Sequence, residues 1–200
     1  MTLGRAAGDA MRHTSVILTV AAFALGGLVG AYALLAERPL ERGAVAGALQ
    51  PAWSEMPWPF PTDQWGKGKA YRCKSSDCGT EVSVYVRAKI GFCNCTTGVS
   101  DDEELDRISD YDLLGGQPVA LGPGRPITIG WMKGRSRAFS VGGAQAAGPS
   151  ALSVGFNDRC DAIVATAVLG REQTAAIEPA VMEFLNSKTV LQWVGVALGL

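Results

Sequence analysis

Chemistry in this chain would have to start from sulfur. Cys93 and Cys95 flank Asn94, and Cys73, Cys78 and Cys160 are the remaining thiols. A Cys-x-Cys pair can chelate Cu(I) or Zn, because thiolates are soft ligands. Four sulfurs would be available if Cys73, Cys78, Cys93 and Cys95 converged. An extended chain from Glu81 to Cys93, rising about 3.3 Å per residue, would instead hold the two pairs about 40 Å apart, so two separate features are expected. Cys73 and Cys78 flank a polar hairpin turn and are expected to form a disulfide. Either Cys93 or Cys95 is expected to bridge Cys160, with the other left as the odd thiol. Neighbours two apart on a strand lie near the upper end of disulfide reach, so these two are not expected to bridge each other. The alternative keeps both accessible as the centre of a thiol- or soft-metal-handling protein, with Arg87 and Lys89 on the same strand face favouring the thiolate. The first reading calls for no metal and no cofactor.

Other chemistries are removed by what the chain lacks. The one histidine is His13, ahead of a long apolar run. Ser-His-Asp and Cys-His catalysis, histidine zinc sites and Cys-x-x-Cys-His haem attachment therefore cannot be assembled from residues 37 to 200. Lys and Arg total 18 against 19 Asp and Glu, a net charge of −1, which gives no global field for nucleic acid. The acidic stretch from Asp101 to Asp112 lacks the ligand order and central glycine of a calcium loop.

The elements that position the thiols can be read from periodicity. Val82, Val84, Val86, Ala88, Ile90 and Phe92 alternate with Ser83, Tyr85, Arg87, Lys89, Cys93 and Cys95, which predicts one half-buried antiparallel strand from Glu81 to Cys95 with both thiols on its solvent face. Lys67 to Cys73 is its hairpin partner across the polar loop from Lys74 to Gly79. Ser100 followed by Glu103 has capping-box spacing and predicts a helix to about Leu114. Gly115 to Pro126 reads as a loop with room for a short edge strand at Pro118 to Leu121. Ile127 to Met132 and Arg135 to Val141 then form a hairpin around Lys133-Gly134, whose tip would be basic. A third hairpin joins Ala151 to Phe156 with Asp161 to Leu169, and the second arm is apolar on both faces, as a central strand is. Two helices close the chain, Glu172 to Leu185 and Lys188 to Leu198, separated by an N-cap at Asn186-Ser187. The fold class is α+β: an antiparallel sheet of five or six strands, a helix after the second strand and helices at the C-terminus.

Thr14 to Ala36 carries no charge, and its 23 residues would span about 34 Å as a helix, enough for a hydrocarbon core of about 30 Å. It reads as a transmembrane anchor in preference to a cleaved signal peptide, since it is longer than a signal core. Gly26 and Gly30 give it a small-xxx-small face for contact with another helix. The expected organisation is a cytoplasmic tail at 1–13, the membrane helix at 14–36, a Pro- and aromatic-rich connector at 37–64, and an extracytoplasmic domain at 65–200. All five cysteines follow the apolar segment, which places that domain in an oxidising compartment. The functional expectation is a single-pass inner-membrane protein whose periplasmic domain is a non-enzymatic binding or assembly module. Its partners would be the membrane and another envelope protein, and not nucleic acid.

Overall fold

The computed structural model describes residues 51–115, 118–141, 149–170 and 174–200, all inside a unit that runs from Leu49 to Leu200. Eight strands form one sheet: β1 (Trp53–Met56), β2 (Lys69–Cys73), β3 (Val82–Lys89), β4 (Pro118–Ala120), β5 (Arg125–Ile129), β6 (Met132–Val141), β7 (Ser150–Asp158) and β8 (Asp161–Leu169). Their order is β1-β2-β3-β8-β7-β6-β4, with β5 also paired to β6, and every pairing is antiparallel. Among the described residues four helices accompany it: α1 (Ser75–Cys78), α2 (Asp102–Ile108), α3 (Thr174–Leu185) and α4 (Lys188–Leu198), with a 3-10 turn at Tyr111–Leu114. The class is α+β, and the sheet has eight strands where the sequence predicts five or six.

One extra strand comes from the connector. Pro51, Pro57, Pro59 and Pro61 bar a central strand there, but Trp53–Met56 lies between prolines and pairs with β2 as an edge, where prolines are tolerated. Its Trp53 stacks on Phe184 of α3 at 4.5 Å. At the opposite edge, Pro118 opens β4 and Pro126 lies in β5. Prolines on both edges blunt the sheet against pairing with further strands.

Each face of the sheet has its own cover. In register across β3, β8 and β7, Val84 meets Ala167 and Leu152, and Val86 meets Ala165 and Val154. These side chains share one cluster with Ile177, Val181, Phe184 and Leu185 of α3 and with Val190 and Val194 of α4. Burying each such aliphatic group is worth about 1.5–3 kcal/mol, so the apolar face is where the C-terminal helices belong. On the other face Ala162 and Val164 of β8 pack with Leu105 and Ile108 of α2, Val99 and Cys93. Gly155 of β7 leaves the room that α2 needs: a Cβ there would sit 2.9 Å from both Leu105 and Ile108 side chains.

Several local expectations are corrected. β3 stops at Lys89 because Ile90-Gly91 turns the chain, with Gly91 at φ 67°, so neither Cys93 nor Cys95 extends a strand. Arg87 and Lys89 are not on a solvent face; both are 4 % exposed. The β5–β6 turn is Gly130-Trp131, closed by the Ile129–Met132 pair, with Gly130 at the positive φ of 58° that a two-residue turn requires. Lys133, Arg135 and Arg137 therefore lie inside β6 and make no basic tip. The predicted loop after β2 contains the helical turn α1, and α2 is capped by Asp101, which accepts from the Glu104 N–H at 2.8 Å, instead of by Ser100. Among the described residues no helix is long and apolar enough to cross a membrane. The segment at 14–36, its flank at 1–13, and Gly26 and Gly30 lie outside the described residues.

Candidate functional site

The stretch from Phe92 to Ser100 folds back over the end of the sheet and is held by covalent and directional bonds. Cys95 is bonded to Cys160 of the β7–β8 turn, with Cα atoms 4.2 Å apart and 65 residues between them in the chain. Cys73 is bonded to Cys78 across α1, with Cα atoms 6.0 Å apart. Cys93 is the unpaired thiol. Its Sγ donates to the Arg159 carbonyl at 3.3 Å, and its N–H donates to the Cys160 carbonyl at 3.1 Å. Burial, reinforced by the charges of Glu104 and Asp161, pushes the Cys93 thiol up to about 11. A thiol so placed is protonated at neutral pH and a poor nucleophile or metal ligand. Among the described residues no three His, Cys, Asp or Glu side chains converge as a metal site.

The Cys-Asn-Cys motif thus acts on the shape of its loop. Asn94 Oδ1 accepts from the N–H groups of Thr96 at 2.9 Å and Thr97 at 3.2 Å, the side-chain turn that asparagine favours. Asn157 of β7 completes the fixation: its Oδ1 accepts from the Val99 N–H at 2.9 Å and its Nδ2 donates to the Arg159 carbonyl at 2.9 Å. Across from this wall stands edge strand β5, with Pro126 and Thr128 on the same sheet face. The space between is a cleft of about 480 Å³, within the range of small-molecule sites. Val99 and Pro126 give it aliphatic surface, Thr97, Ser100 and Thr128 give it hydroxyls, and among the described residues Lys133 stands alone as its charged residue; Ile127 borders it while its side chain packs on the apolar face.

The two arginines on the Lys133 face of β6 are matched by carboxylates of α2. Arg135 of β6 pairs through Nε with Asp102 of α2, and its Nη2 donates to the Gly124 carbonyl at 3.0 Å. The Arg135 bond holds the Asp102 carboxyl below its ordinary range. Arg137, two residues on, reaches Asp106 at 2.8 Å. Lys133 is the third cation of this strand face and makes no ion pair among the described residues.

The other end of the same sheet face is also closed. Arg87 gives Asp110 a two-point contact at 2.7 and 2.6 Å and reaches Asp63 at 2.7 Å. Lys89 Nζ lies 2.7 Å from Asp110 and donates to the Ile108 carbonyl at 2.6 Å. Two cations and two carboxylates leave no residual charge. Burial lowers the Lys89 ammonium despite its Asp110 partner, and the rings of Trp65 and Phe92 lie 5.7 and 5.6 Å from it. A second hollow, at the sheet edge beside Leu121, Arg125 and Ala175, has its carboxylate spent: Glu178 accepts from Ser136 Oγ at 2.9 Å and pairs with Arg125.

No family model, no curated protein and no solved structure matches the chain. The cleft escapes the sequence because Lys133 and Asn157 each read there as turn residues. One signal was available: Lys133, Arg135 and Arg137 repeat at period two, the spacing of one strand face, where a hairpin tip would scatter them.

Proposed function

We propose that the protein is a binding module working on the envelope side of a membrane, held there by the apolar segment at 14–36 and performing no reaction of its own. The cleft between the Phe92–Ser100 loop and β5 supports this reading. Its wall is fixed by a disulfide, an asparagine turn and Asn157, which is preorganisation for holding a partner. Groups near it that could do chemistry are spent: Cys95 is oxidised, Cys93 is buried and protonated, and Arg135 and Asp102 neutralise each other. The two disulfides favour an oxidising compartment, and with the anchor this points to the periplasmic side of an inner membrane. Another envelope protein or a ligand of that compartment is the expected partner.

The test is purification of the full chain from membranes in mild detergent, followed by identification of what accompanies it. A stoichiometric companion recovered unchanged after prolonged incubation is the expected result. A companion converted to another compound would overturn the reading. So would about one equivalent of copper or zinc that disappears in Cys93→Ser.

A further inference from the structure

We infer that the cleft lined by Lys133 takes a small organic acid with an aliphatic body, its carboxylate paired to the Lys133 ammonium. This assignment rests on the binding-module reading above and specifies what is bound.

Three independent features of the cleft lead to it. The first is charge. β6 presents Lys133, Arg135 and Arg137 on one face, and α2 supplies carboxylates to the two arginines, Asp102 to Arg135 and Asp106 to Arg137. Lys133 is exposed and receives none. Among the described residues no Asp or Glu lines the cleft, so a bound carboxylate meets one matching charge within it. A carboxylate on an ammonium forms a charge-assisted hydrogen bond, roughly twice as strong as a neutral one.

The second feature is the lining beyond the lysine. Thr97, Ser100 and Thr128 carry hydroxyls that either donate or accept, suited to an amide or hydroxyl on the ligand. The Asn157 amide spends one acceptor site on the Val99 N–H and one of its two N–H groups on the Arg159 carbonyl, which fixes its plane at the wall and leaves its second N–H for the ligand. Val99 and Pro126 add aliphatic contact, and among the described residues no aromatic ring lines the space. A sugar or a nucleobase would find no ring to stack on.

The third feature is rigidity. The 65-residue span between Cys95 and Cys160 is closed by a disulfide at the foot of the wall, and the Asn94 and Asn157 bonds fix the wall above it. Little ordering is left to be done on binding, and a site of about 480 Å³ can then hold a ligand of modest size.

The test uses the full chain in detergent with Val and Thr methyls labelled for NMR, since Val99, Thr97 and Thr128 line the cleft. N-acetylvaline carries the acid and an aliphatic body, N-acetylvalinamide keeps the body without the charge, and acetate keeps the charge without the body. N-acetylvaline is expected to shift the Val99, Thr97 and Thr128 methyls saturably. N-acetylvalinamide, acetate and the Lys133→Gln variant with N-acetylvaline should each bind at least tenfold more weakly. Lys188→Gln, which removes an exposed lysine on α4 away from the cleft, should bind as the unaltered protein does. Equal binding of the acid and its amide would overturn the assignment. Undiminished binding by Lys133→Gln, equal weakening by Lys188→Gln, or no shift at Val99, Thr97 and Thr128 would overturn it as well. These outcomes are independent of the co-purification above. A companion converted during incubation fails the binding-module reading itself, whereas a methyl shift indifferent to charge fails only the choice of ligand.

Discussion

Leu185 on one face of the sheet and Asp110 on the other are 0 % and 5 % exposed, yet they hold their covers in place by opposite means. Leu185 belongs to an apolar cluster in which α3 and α4 lie on Val84, Val86, Val154 and Ala165, and any close-packed set of similar volume would serve. Asp110 joins Arg87 and Lys89 at 2.6 to 2.7 Å, and there is one arrangement in which all three are satisfied. The difference matters for the cleft. A face closed by non-directional burial tolerates small slips, while a face pinned by ion pairs, a disulfide and amide bonds keeps Val99, Lys133 and Thr128 at fixed separations.

The largest effect should follow from breaking the polar lock. Asp110→Ala strands Arg87 and Lys89 without their shared carboxylate and should cost about 3–5 kcal/mol by urea unfolding. Asp63→Ala should cost clearly less, because its side chain is 40 % exposed and water can replace it. If both cost the same, the cluster is wet and the contrast between the faces is lost. Next come the disulfides. Cys160→Ser opens a 65-residue span, worth about 4 kcal/mol in the chain-entropy model, against about 2 kcal/mol for Cys73→Ser. Calorimetry on the two variants checks the order, and only Cys160→Ser should blur the Val99, Thr97 and Thr128 methyl signals of the cleft.

On the apolar face Leu185→Ala should cost about 3 kcal/mol, with no dependence on salt and no change at the cleft. Loss of the cleft signals in that variant would mean that the two faces are coupled.

The smallest effect is that of mild acid. In the fold Asp63 is lowered by its bond from Arg87, Asp102 by Arg135 and Glu104 by Arg107. Their ordinary values are 3.8, 3.8 and 4.5, so on acidification the unfolded chain takes up these protons first. Their contribution to stability is therefore whole above about 4.5 and is lost as the pH falls through the depressed folded values. All three carboxylates lie on the polar side. Hydrogen exchange at pH 3.5 should deprotect α2 before α3, and simultaneous deprotection would contradict the division of labour.

Much of this architecture was legible along the chain. The bounds of α4, the Ser187 cap that accepts from the Val190 N–H, the β7–β8 hairpin and the two-sided burial of β8 follow from periodicity and capping, which are local properties. The Cys73–Cys78 pairing follows from a short separation across a turn. The end of β3 was less legible, because alternation continues through Ile90 and Phe92 and hides the turn that Gly91 makes. The β5–β6 register was hidden too: Lys133-Gly134 and Gly130-Trp131 are both plausible turns, and cross-strand pairing chooses between them.

The sequence by itself determined the supply of parts: five thiols with no histidine beyond His13, balanced charge, alternating strands and two apolar C-terminal helices. Only the tertiary structure decided that Cys95 takes Cys160 and leaves Cys93 buried, that Arg87 and Lys89 turn inward, and that Lys133, unlike the other cations of its strand face, makes no ion pair among the described residues. The physical reason is that a side chain's charge state and partners are set by what lies across from it. The residues that settle these questions, Asp110 for Lys89 and Asp102 for Arg135, stand 21 and 33 positions away in the chain, beyond the reach of any local pattern.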